Sequence, residues 1–157
     1  LLSKNPSDKG GTWAWVCVDE EDNVLAKESG IVLPHHIDRE RVTNNQSELT
    51  AIYRGLRSLP NGWQGQLWSD SRIALQWIGG TPGRTWTSVP RRLSNLVIHE
   101  LHRNRTTGGR IEFMHLDGHR EGSEFHKFNV MCDRMCNEER AKWDKRNEDG
   151  GSESGRS

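Results

Sequence analysis

The sequence offers little for covalent cross-linking or bulk electrostatic attachment. Only Cys17, Cys132 and Cys136 are cysteines among its 157 residues. So sparse and odd a set does not form a disulfide framework, and it places the chain by default in a reducing cytoplasm. Lys and Arg number 22 and Asp and Glu number 22, so net charge alone does not hold the protein to nucleic acid or to a membrane. No apolar run approaches the roughly 20 residues of a membrane helix. No charged-then-apolar leader is legible, and no membrane partner is expected. Tyrosine and phenylalanine are scarce and the hydrophobic fraction is only 32%. Seven tryptophans offset that deficit, because bulky aromatics are rare in wholly disordered chains. The length suits one domain with a real core.

Periodicity then gives an element order. Residues 12–18 (TWAWVCV) are apolar on both alternating faces and read as a buried strand. The acidic turn at 19–23 leads into a second strand at 24–32, which makes a hairpin. Leu49, Ile52, Leu56 and Leu59 mark one face of a helix over 47–59, with Asn44 and Asn45 placed to cap it. A short strand over 66–69 is followed by a helix over 71–78. A helix from Pro90 to about Arg105, a strand over 110–115 and a helix over 128–146 complete the order. Residues 148–157 have the composition of a disordered tail, leaving 1–147 as the domain. Strands alternating with helices predict an α/β fold, a mixed sheet flanked by helices.

Three acids stand at element ends: Glu48 in the first turn of the first long helix, Asp70 after a strand, and Asp133 in the last helix. Ligands of open α/β sheets bind beyond the carboxyl ends of strands, where Asp70 falls. Carboxylates brought together there repel one another unless a cation neutralises them. Hard oxygen donors suit Mg²⁺ or Mn²⁺. Two such ions would activate water and stabilise the leaving oxygen of a phosphodiester. Spacing alone does not single these three out from 22 acids; each also reads as an ordinary helix-end or solvated charge.

Four motifs in order carry a resemblance. Thr43-Asn44-Asn45-Gln46-Ser47-Glu48-Leu49-Thr50-Ala51 resembles the T-N-N-x-x-E-L-x-A signature of type I ribonuclease H. Leu67-Trp68-Ser69-Asp70-Ser71 resembles that family's strand followed by S/T-D-S, and Gly118-His119 with Asn129-x-x-x-Asp133 resembles its closing motif. Asn5-Pro6 with Gly10-Gly11-Thr12-Trp13-Ala14 resembles the start of its second strand. The resemblance spans about residues 5 to 140. It implies an RNase H-like fold and hydrolysis of the RNA strand of RNA–DNA hybrids with two Mg²⁺ or Mn²⁺ ions, leaving 3′-hydroxyl and 5′-phosphate ends. Glu48, Asp70 and Asp133 would be the metal-binding catalytic carboxylates, and His119 a mobile loop base. Asn5, Asn44 and Asn45 would touch the substrate, since short amides both donate to and accept from 2′-hydroxyls. For Asn44 and Asn45 a helix-cap role stands beside that one.

The sequence departs from the family pattern in places. The family's first strand carries a further Asp, in an Asp-Gly pair ahead of the position of Asn5, where this chain has only Leu1 to Lys4. The expectation is that a segment precedes Leu1 in the working protein, that the sheet has a gap without it, and that the chain as it stands is weakly active or inactive. The loop from His119 to Asn129 is long and holds His126, a competitor for the base role. Between Gly79 and Arg110 stand six Arg against one Glu. Arg84, Trp86, Arg91 and Arg92 are therefore placed to hold DNA-strand phosphates and a sugar, or form an ordinary solvated face. Two rivals remain. One is an inactive or DNA-directed domain of the same fold. The other is a zinc-stabilised interaction module using His115, His119, Cys132 and Cys136, although Cys132 and Cys136 also read as small core residues one helical turn apart. A monomer is expected.

Overall fold

The computed structural model describes residues 11–33, 44–78, 91–115 and 126–154, with the side chains of 44, 91, 126 and 147–154 left aside. The chain runs β1 (Gly11–Val18), β2 (Val24–Val32), α1 (Asn44–Ser58), β3 (Gln64–Ser69), α2 (Arg72–Ile78), α3 (Arg91–Thr106), β4 (Arg110–His115) and α4 (His126–Ser154). This is the α/β alternation read from periodicity. Among the described residues the strands form two pairs. β1 and β2 are antiparallel, and β3 and β4 are parallel, so both pairing modes are present. β1 and β3 share no ladder.

The hairpin turn is built by Asp19. Its carboxylate accepts from the backbone N–H of Glu21 and of Asn23, both at 2.9 Å, and from the Asn23 side chain at 3.1 Å. The Asn23 bonds are the main cause holding this exposed carboxyl below the usual carboxylate range. Alternation along the strands then sorts the two faces. Trp13 and Val32 turn to one side, into a core with Leu49, Ile52 and Leu56 of α1, Trp77 of α2, and Leu93 and Val97 of α3. Leu67, Ile111 and Phe113 of the parallel pair pack against the same core. α1 thereby joins the two strand pairs. Ser29 turns to the other side, where its hydroxyl donates to Glu139 of α4 at 3.0 Å. The hairpin is thus covered by α1 on one face and α4 on the other.

Two helices differ from expectation. α1 begins at Asn44, so Asn44 and Asn45 lie inside the first turn rather than ahead of it, and Glu48 falls in the second turn. The packing of Leu49 (0% exposed) and Ser47 (1%) extends the helix N-terminally, and tertiary burial outweighs asparagine's modest helix propensity. α4 starts at His126 and its backbone stays helical to Ser154, past the end expected near Arg146 and into the stretch expected to be a tail. The Gly150-Gly151 pair lowers helix propensity without forbidding the helix.

Candidate active site

The site assembles at the carboxyl end of β3. Parallel pairing places Ser69 opposite His115, so β3 and β4 end together and the chain turns out through Ser69-Asp70-Ser71. Two hydroxyls fix that turn. Ser69 Oγ accepts from the Ser71 backbone N–H at 3.1 Å and donates to Glu48 Oε2 at 3.1 Å. Ser71 Oγ accepts from the Ala74 N–H at 3.1 Å, capping α2, and donates to Asn45 Oδ1 at 3.2 Å. The turn that presents Asp70 is therefore tied twice to α1, at Glu48 and at Asn45. His115 Nε2 lies 3.3 Å from the Asp70 carbonyl oxygen.

Glu48, Asp70 and Asp133 converge from three elements. Glu48 is 8% exposed, and burial, with Asp70 as the second cause, pushes its carboxyl up to about 8. Asp133 adds a smaller push. The Asp70 carboxyl is also raised, first by burial and then by the charge of Asp133. Glu48 therefore feels both of the other carboxylates and Asp70 feels Asp133, which scattered acids do not. Glu48 Oε2 is bonded to Ser69, but its buried Oε1 has no hydrogen-bond partner.

This donor set fits a hard divalent cation. It consists of carboxylates only, it is held apart from water on the Glu48 side, and it retains an unsatisfied buried oxygen that a cation would answer. Among the described residues no group of three or more His, Cys, Asp or Glu side chains is already closed to ligating geometry. Ligation by all three would require the carboxylates to close around the ion.

The zinc arrangement finds less support. Burial pushes the Cys132 thiol up to about 12 and raises that of Cys136 as well, which opposes the thiolate that zinc requires. Both thiols are free, and Cys136 is 1% exposed, as expected of core cysteines on α4. Thr12 Oγ1 bears on the Cys136 thiol without closing a hydrogen bond of ordinary geometry.

Of the other expected site residues, Asn45 lies at the site through Ser71. Asn44 opens α1 and His126 opens α4, with the side chains of both outside the description. Asn5, Arg84, Trp86 and His119 lie outside the described residues. Ser69, Ser71 and His115 had not been expected there. The two serines flank Asp70 in the sequence, and their positions as strand end and helix cap were the available signal; His115 depends on a pairing register that spacing does not reveal.

A ribonuclease H from Rhodopirellula baltica is 30% identical over 104 residues, covering 60% of this chain and 62% of that protein. The matched region thus spans less than two thirds of that relative's length. A crystal structure of LC11-RNase H1 in complex with an RNA/DNA hybrid superposes with a TM-score of 0.59 at 18% identity, covering 87% of this chain and 88% of that one, and this likeness establishes the fold. The sequence model of the RNase H family matches residues 3–141. With most of the chain inside that match, the protein belongs to the RNase H family.

Proposed function

We propose that this protein cleaves the RNA strand of RNA–DNA hybrids by hydrolysing its phosphodiester bonds. The observation that carries the reading is the convergence of Glu48, Asp70 and Asp133 with an unanswered buried Glu48 oxygen. The relative from Rhodopirellula baltica carries the same activity in its name, and the structural neighbour was crystallised with such a hybrid.

Glu48, Asp70 and Asp133 would hold Mg²⁺ or Mn²⁺, two per site. Bound there, the ions supply Lewis acidity at the phosphate and lower the pKa of attacking water. The chain's own residues prepare the site. Ser69 orients Glu48 by donating to Oε2. The Ser69-Asp70-Ser71 turn, capped onto α2, fixes the backbone that carries Asp70. Asn45 has its Oδ1 engaged by Ser71, which leaves its Nδ2–H groups to donate to a 2′-hydroxyl or base edge. His119 takes the role of the loop base that assists proton transfer and product release, with His126 as its competitor. Asn5, Asn44, Arg84 and Trp86 extend the grip along the two strands.

The test is Asp70→Asn in the full chain, assayed on a fluorescent RNA–DNA hybrid with Mg²⁺. Cleavage is abolished while hybrid binding in EDTA persists. Undiminished turnover by the variant removes Asp70 from the chemistry. Cleavage of a DNA duplex in preference to the hybrid overturns the substrate assignment. His119→Ala slows turnover; a larger loss at His126→Ala gives the base role to His126.

A further inference from the structure

Of the three converging carboxylates, two stand on regular elements. Glu48 lies inside α1 and Asp133 inside α4, so the hydrogen bonds of each helix fix their backbones. Asp70 has no such support. β3 ends at Ser69 and α2 begins at Arg72, which leaves Asp70 between the ladder and the helix. Its placement depends on individual bonds from side chains.

The peptide unit that joins Asp70 to Ser71 is gripped at both ends. Its N–H donates to Ser69 Oγ at 3.1 Å. Its C=O lies 3.3 Å from His115 Nε2. A carbonyl oxygen only accepts, so this bond needs the proton on Nε2. Nε2 carries a proton in that neutral tautomer and in the imidazolium alike, so the tie does not depend on the charge of the ring. Ser69 and His115 are the last register partners of the parallel ladder, which sets the two gripping side chains next to each other. Because the peptide unit is planar, holding both its ends fixes ψ of Asp70. Ser69 Oγ also donates to Glu48, so removing His115 leaves that bond in place. His115 is exposed, and replacing it does not open the core.

We propose that His115 is a positioning residue for cation binding: its Nε2–H, by holding the Asp70 carbonyl, keeps the Asp70 carboxylate where it can close on an ion with Glu48 and Asp133. The inference rests on the metal-site reading above and adds to it a side chain that ligates nothing. Groups that orient a metal ligand govern affinity or activity by about 10–100-fold. A single neutral hydrogen bond in contact with water belongs at the low end of that range.

The test compares the full chain with His115→Ala and with His115→Gln, which keeps an N–H donor at similar reach and has no titrating ring. In ¹³C,¹⁵N-labelled protein the Asp70 carbonyl carbon is read through the Ser71 N–H before metal is added, and Mg²⁺ is then titrated. In His115→Ala that carbon moves upfield as its donor is lost, and Mg²⁺ binds about tenfold more weakly. At subsaturating Mg²⁺, kcat on an RNA–DNA hybrid falls about tenfold while KM for the hybrid holds. His115→Gln restores most of each. Undiminished Mg²⁺ affinity in His115→Ala overturns the proposal, and so does a His115→Gln variant no better than His115→Ala, which would give the ring a role beyond the donated bond. A parent chain that binds Mg²⁺ with this dependence on His115 but leaves the hybrid uncut supports the proposal and defeats the substrate reading instead. A parent that takes up no Mg²⁺ overturns both.

Discussion

Removing the buried carboxyl of Glu48 should change how the protein responds to pH more than how well it packs. The metal-free fold raises this group from its ordinary 4.5 to about 8, chiefly because burial disfavours the anion. The folded state thus binds the proton more tightly than the unfolded state does. Its contribution to stability is complete below pH 4.5 and is lost as pH rises towards 8. At 1.36 kcal/mol per pH unit, the gap between those values sets a ceiling of about 5 kcal/mol, a large share of the roughly 5–15 kcal/mol that stabilises a domain. Asp70, raised by burial and by Asp133, adds to the loss with the same sign.

Glu48→Gln keeps the shape, and its amide oxygen still accepts from Ser69 Oγ. The variant has nothing to ionise at that position, so its stability should stay nearly level where the parent declines. Urea unfolding followed by tryptophan fluorescence in EDTA, from pH 5 to 9, measures both profiles. The parent should lose about 2 kcal/mol or more between pH 5 and 8 relative to Glu48→Gln. Added Mg²⁺ should reverse the trend in the parent alone, because a bound cation favours the ionised form and its stabilisation grows as the proton leaves. Parallel profiles for parent and variant would refute the account of Glu48 as a carboxyl whose charge the apo fold resists.

Other substitutions probe the supports of the site. Ser69→Ala removes the donor to Glu48 Oε2 and the acceptor for the Ser71 N–H, and should cost about 1–3 kcal/mol in urea unfolding while lowering Mg²⁺ affinity measured by calorimetry. Leu49→Ala, at a wholly buried position of α1 next to Glu48, should cost about 2–5 kcal/mol. At Gly62, with φ +77°, an added Cβ would lie 2.9 Å from the Thr107 carbonyl oxygen; Gly62→Ala should cost about 1–3 kcal/mol in the same assay. Hybrid binding in EDTA should weaken steeply with added salt, and Arg84→Gln together with Arg92→Gln should flatten that dependence; an unchanged salt slope would remove both arginines from the phosphate contacts.

What was legible in advance divides along the range of the interactions concerned. The strands and helices came from local periodicity, and the core confirms the reading: Leu49, Ile52 and Leu56, picked by helical spacing, are buried together. The place of Asp70 after a strand was legible locally, but only the likeness of Ser69-Asp70-Ser71 to the family motif singled it out among 22 acids. The convergence of Glu48 and Asp133 upon it was not legible, since residues separated so widely in sequence meet only through tertiary packing; there the family resemblance supplied what spacing did not. Where local rules failed, a distant partner had intervened. Asn45 was expected to cap α1, but its Oδ1 is engaged by Ser71, 26 residues away, so the amide ties two elements instead of closing one helix end. His115 was weighed as a zinc ligand from its spacing to His119, yet the parallel register puts it at Asp70, 45 residues away.

The same division explains why Glu48 is the more informative of the acids. A surface carboxylate could be replaced with little consequence for the fold. Glu48 sits in a core-facing turn of α1 between Ser47 and Leu49, both almost wholly buried. No hydrophobic residue there would supply an oxygen, and no exposed acid would reach it. A charged group costs stability in such a place unless something neutralises it. The fold meets half of that requirement with the Ser69 hydroxyl and leaves Oε1 without a partner. The unmet half is the physical opening for a cation: the position that is least favourable for the apo protein is the one from which ligation recovers the most, and the proton that stabilises Glu48 at pH 6 must leave for the ion to enter. Apparent Mg²⁺ affinity should accordingly rise up to about tenfold per pH unit below pH 8, with proton release detectable by calorimetry in buffers of different ionisation enthalpy. Affinity independent of pH between 6 and 8 would mean that the cation binds without displacing that proton, and would take Glu48 out of the ligand set.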